Sequence, residues 1–105
     1  MKNINKKKFF EYIKKKKELL LVDFWAKWCF PCKEMNKILK NIEKKFKNKK
    51  IIILKINIDK HIDLADKYNI QSIPTIFFFK KEKILKTIIG TINYKYLKKK
   101  IKKLL

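Results

Sequence analysis

At 105 residues the chain has room for one domain, residues 1–105, around one modest core, and its 47% apolar content excludes a disordered chain. The 30 basic residues against 9 acidic ones give a net charge of +21, yet every basic residue is Lys. Without the Arg that base readout and bidentate phosphate recognition favour, no specific nucleic-acid partner is expected.

Two cysteines are too few for a disulfide framework and point to redox or metal chemistry. Lys, Ile, Asn and Phe are abundant while Gly, Pro and Arg are scarce. AT-rich coding favours that balance and is one account of the charge, with the lysines as solvated faces; a functional role for the charge is the other. Non-specific, salt-sensitive attraction to polyanions follows in any case.

The basic start, Met1 to Lys8, is not followed by the apolar stretch of an export signal. Glu11 and Lys14 to Lys17 interrupt it, and Leu19 to Val22 is too short before Asp23. No segment is apolar enough to span a bilayer, so a cytoplasmic protein with no membrane partner is expected.

In chain order, Asn5 to Lys17 is predicted as a helix with Phe9, Phe10 and Ile13 inward. Leu19 to Ala26 is a near-continuous apolar run, as a buried central strand requires. A helix follows from the cysteines to about Asn48, its face marked by Met35, Ile38, Leu39, Ile42 and Phe46. Ile51 to Ile58 is β-branched and reads as a strand. Asp59 is placed to cap a short helix with Ile62, Ala65 and Tyr68 inward. Thr75–Phe79 and Ile84–Ile89, joined by Lys80 to Lys83, form a hairpin that Gly90 ends. Asn93 caps a last helix with Tyr94, Leu97, Ile101 and Leu104 inward. The expected class is α/β: a mixed central sheet, parallel at its core with an antiparallel closing hairpin, and helices on both faces.

Both cysteines fall in Trp28-Cys29-Phe30-Pro31-Cys32, at the junction of a strand and a helix. There the first sulfur meets unsatisfied N–H groups and the positive end of the helix dipole, which favour the reactive thiolate. Cys32 lies one helical turn on, close enough to form a disulfide. Cys29 is the expected nucleophile and Cys32 the resolving thiol. A zinc site would need four ligands, and His61 is the sole further soft candidate. Asp23, inside an apolar strand, is either a buried acid with a task or an edge residue turned to solvent.

With strand, Cys-x-x-Cys turn and hairpin in place, the chain resembles the thioredoxin family over nearly its whole length. Val22 to Cys29 with Pro31-Cys32-Lys33 is similar to its active-site segment, and Lys55 to Asp59 to the end of its central strand. Lys67 to Ile70 is similar to the following helix, and Ile73-Pro74-Thr75 to its cis-proline turn. The resemblance implies a thioredoxin fold with a short first strand near Lys2 to Ile4. It also implies protein-disulfide oxidoreductase activity that reduces disulfides in client proteins, carried by a monomer. No cofactor would be bound; electrons would come from NADPH through a separate flavoprotein resembling thioredoxin reductase.

Asp23 is then implied as a buried acid that accepts the proton of Cys32, through water. Lys55 is its candidate neighbour, although lysine is common enough for coincidence. Ile73 and a cis Pro74 would present backbone to an extended substrate, with Trp28, Phe30, Pro31 and Gly90 lining the docking surface. An ordinary strand-starting Pro is the other option for Pro74.

The chain also departs from the pattern. Phe30 stands where Gly is usual, as an added apolar contact or a change without function. Lys37 replaces a kinking Pro, so a straighter helix is expected. Asn69, Ser72 and Glu82 occupy places where Gly is common. Two alternatives follow: a thiol oxidase or isomerase of raised potential, and a non-catalytic basic module of the same fold.

Overall fold

The structure is a computed structural model that describes residues 1–47 and 50–105. Its elements run β1 (Lys2–Asn3), α1 (Lys6–Lys15), β2 (Leu19–Trp25), α2 (Phe30–Lys45), β3 (Ile51–Asn57) and α3 (Ile62–Lys67). β4 (Thr75–Lys80), β5 (Lys83–Ile89) and α4 (Tyr94–Leu104) complete the chain. One five-stranded sheet has the order β1-β3-β2-β4-β5. β1 and β2 pair parallel to β3, while β4 is antiparallel to both β2 and β5. This is the thioredoxin fold expected from the sequence.

Helix-linked strands usually run parallel, yet β4 follows α3 and runs antiparallel to β2. The connection, residues 58–74, does not travel back along the sheet. Its helix has only six residues, a rise of about 9 Å, and the remaining residues turn at the same end of the sheet. The chain re-enters the sheet at the end where β3 finished: Trp25 pairs with Asn57, and its neighbour Phe24 with Thr75.

Strand alternation sorts the core into two layers. Leu20, Val22 and Phe24 of β2 pack with Phe9 and Ile13 of α1 and Leu64 of α3. Leu19 and Leu21 face the other way, onto Met35, Leu39 and Ile42 of α2 and Leu97 and Ile101 of α4. The same parity puts Asp23, and its register partner Lys55, on the α2 side.

Caps set the helix starts. Asn5 Oδ1 accepts from Lys8 N at 2.9 Å, and Asn93 Oδ1 from Tyr96 N at 2.8 Å. α2 continues unbroken through Lys37 to Lys45; the expected end near Asn48 lies outside the described residues. Two expectations for α3 need correction. His61, not Asp59, stands at its N-cap, because Asp59 lies in the turn of residues 58–60, which His61 N closes by donating to Asn57 O at 3.0 Å. Ile62 is 63% exposed and Leu64 is the buried residue, a face that six residues cannot mark by periodicity. Asn69 and Glu82 take left-handed backbone, with φ of 51° and 70°, as their Gly-like places require; Ser72 does not.

Candidate active site

β2 delivers the chain to the site. It ends at Trp25, a turn follows in which Cys29 N donates to Ala26 O at 3.2 Å, and α2 begins at Phe30. Cys29 is itself the N-cap, with its Sγ accepting from Cys32 N at 3.2 Å. Pro31 sits in the first turn, where a missing N–H leaves nothing unpaired. The sulfur thus stands at the unsatisfied, positive end of a 16-residue helix. Cys29 and Cys32 are joined as a disulfide, so the structure is the oxidised form.

The two cysteines are 5% and 3% exposed, and Ala26, Trp25, Ile58 and Ile73 pack around them. Cys29 Sγ lies 3.8 Å from Ile73 O, a contact rather than a hydrogen bond, since a disulfide sulfur carries no proton. The Ile73–Pro74 peptide is cis, and Pro74 is buried. Gly90, at φ 85°, donates its N–H to Pro74 O at 2.8 Å, tying the end of β5 to this turn. Trp28 and Phe30 stand 69% and 68% exposed beside the cysteines, and Pro31 is also exposed. Trp28 is held by its indole N–H, which donates to Asp59 Oδ2 at 2.9 Å.

Beneath this surface Asp23 is fully buried, and neither carboxylate oxygen has a hydrogen-bond partner among the described residues. The counter-charge closest to it among those residues is Lys55 Nζ, 3.9 Å from Oδ2: near enough to attract, too far to hydrogen bond. Desolvation pushes the Asp23 carboxyl up from 3.8 to about 7, against the opposing pull of Lys55. Burial likewise lowers Lys55, which Asp23 partly offsets and Lys40 reinforces. Lys55 Nζ also lies 4.7 Å from the Trp25 ring centroid, in cation–π contact. Trp25 in turn donates to Asn3 Oδ1 at 2.9 Å.

All ten residues singled out from the sequence therefore lie at one end of the sheet or directly behind it. Three further residues were not singled out for the site. Asp59 braces Trp28, and the pairing of Trp25 with Asn57 is the signal that would have brought it there. Asn36, four residues after Cys32 on the same helix face, accepts from Lys55 Nζ at 2.5 Å. Ile89, exposed on the edge strand, pairs with Thr75 next to Pro74.

The family model for thioredoxin matches residues 1–103. The chain is 43% identical over 90 residues to the thioredoxin of Buchnera aphidicola subsp. Baizongia pistaciae, covering 86% of this chain and 82% of that one. It is 40% identical over 88 residues to the thioredoxin of Rickettsia bellii, covering 84% and 83%. Among solved structures, Plasmodium falciparum thioredoxin superposes with a TM-score of 0.88 at 30% identity, each chain covered completely.

Proposed function

The chain belongs to the thioredoxin family and is a protein-disulfide oxidoreductase, and from that premise we propose how its residues divide the work. Cys29, as the thiolate, attacks one sulfur of a client disulfide. The client S–S bond breaks, its other sulfur leaves as a thiolate, and a mixed disulfide with Cys29 forms. Cys32 then gives up its proton, with Asp23 as the acceptor, and attacks Cys29 Sγ. The Cys29–Cys32 bond closes, and the client departs reduced by two electrons.

The observation that carries this assignment is the N-cap position of Cys29. Amide N–H groups and the helix dipole favour the thiolate at that sulfur. Cys32 lies inside the first turn, and its backbone N–H is one of the donors that face Cys29 Sγ. A buried carboxyl that titrates near 7 is matched to taking and returning a proton at neutral pH.

The electron pair resides on the two sulfurs themselves, so the reaction needs no bound cofactor. A reductase must return the oxidised pair to the dithiol. A flavoprotein drawing on NADPH suits that role, because hydride chemistry supplies two electrons at once. Clients dock on Trp28, Phe30 and Pro31, with the Ile73 backbone offered to an extended segment as an added strand and Gly90 keeping the groove open. Trp28 and Phe30 supply exposed apolar area next to the sulfur that must be reached. The protein acts as a monomer, and a dithiol reductant belongs in a reducing compartment such as the cytoplasm. No helix among the described residues is long and apolar enough to cross a membrane.

The test is turnover of a disulfide-bonded protein substrate with dithiothreitol as electron donor. Cys29→Ser is expected to abolish the reaction, while Cys32→Ser, reduced and then freed of dithiothreitol before mixing with the substrate, accumulates the mixed disulfide. Normal turnover by Cys29→Ser would overturn the assignment.

A further inference from the structure

Lys55 has two oxygens to choose between. Its ammonium is 2.5 Å from Asn36 Oδ1 and 3.9 Å from Asp23 Oδ2. The nearer partner is a neutral amide on α2; the farther is a carboxylate with no hydrogen bond of its own among the described residues. We propose that Asn36 is a positioning residue of the redox site, its side-chain oxygen holding the Lys55 ammonium off the Asp23 carboxylate. The inference rests on Asp23 as the proton acceptor and adds what keeps that acceptor ready.

Geometry gives Asn36 this leverage. It stands one turn after Cys32, half-buried, in the wall of a groove of about 400 Å³ that Cys32, Trp25 and Lys55 also line. The charges around that groove are Lys27 from the turn after β2, Lys33, Lys37 and Lys40 from α2, and Lys55 from β3. None of the described residues lining it is an acid. β4 meets Asp23 with Ile76, and α4 reaches this side through Leu97 and Ile101, so neither brings a charge. Lys40 repels the Lys55 ammonium from the α2 side. Without the amide oxygen, that repulsion drives Lys55 toward Asp23, the nearest negative charge. A hydrogen-bonded ammonium would then hold the carboxylate ionised. A carboxylate stabilised in that way is a weaker base and takes the Cys32 proton less readily.

Two substitutions should therefore act in opposite directions. In Asn36→Ala, Lys55 closes on Asp23, and the Asp23 titration midpoint falls by about one pH unit. In Asn36→Asp, a second carboxylate draws Lys55 further away and disfavours ionisation of Asp23, so the midpoint rises. The readout is the carboxyl carbon-13 resonance of Asp23 followed by NMR against pH in each folded variant. Opposed shifts support the inference; unmoved midpoints, or shifts in the same direction, overturn it. The Asp23 role itself is tested separately, by the rate at which Asp23→Asn resolves a mixed disulfide at pH 7. A normal rate there would remove the acceptor while leaving the NMR result intact.

Discussion

A carboxyl buried at position 23 without a hydrogen bond is costly to ionise, and the cost shows as pH-dependent stability. Its folded value of about 7 lies above its ordinary 3.8. Between those values the folded protein keeps a proton that the unfolded chain has released, so stability falls as pH rises through that window and levels off above it. At 1.36 kcal/mol per unit the loss is about 4 kcal/mol. Asp23→Asn removes this dependence. From pH 4 to pH 8 its stability relative to the parent, from urea denaturation, is expected to improve by about that amount. A constant difference across the range would mean that the Asp23 carboxyl is not desolvated in the folded protein. At this scale the sequence was most legible where chemistry is rare. Two cysteines among 105 residues, and one acid inside Leu19–Trp25, are conspicuous. Asn36 and Asp59 were not, because Asn and Asp serve equally as caps and surface residues, and their work here depends on partners far away in the chain.

The β4–β5 turn shows what an element tolerates when its residues suit it poorly. Lys81 and Glu82 both sit in left-handed backbone, at φ 50° and 70°, where a two-residue hairpin turn prefers Asn followed by Gly. Just beyond, the register shifts between Phe78 and Phe79, leaving Leu85 as an extra residue on the edge strand. Combining Lys81→Asn with Glu82→Gly is expected to stabilise the protein by about 1 kcal/mol. A higher midpoint in thermal unfolding, with unchanged disulfide reduction, is the result to look for; a lower midpoint would mean that Lys81 or Glu82 contributes contacts beyond its backbone. β2, β3, β4 and the long helices were readable because each buries a continuous apolar run or stripe. α3 was not: its six residues complete fewer than two turns, so Ile62 and Leu64 could not be told apart as the inward residue.

Across the whole molecule, the sheet order gathers the site from distant parts of the chain. Central β2 ends at the cysteines, β3 ends beside it at Asn57, and β4 starts from Pro74 at the same edge. This convergence comes from strands that end or begin at one end of a mixed sheet, which is why strand order and motif spacing together made the location of the site legible. The +21 charge is spread on lysines over most elements, including the wall of the groove behind Cys32. Phe30, exposed between the two cysteines in sequence, is the substitution that bears most directly on their chemistry. The reduction potential of the Cys29–Cys32 pair measures its consequence, by equilibration with a dithiol buffer and Trp fluorescence. A protein that reduces client disulfides should poise near the reference value for thioredoxin, about −270 mV. A potential near about −120 mV, that of a dedicated oxidase, would contradict it and make this chain a donor of disulfides.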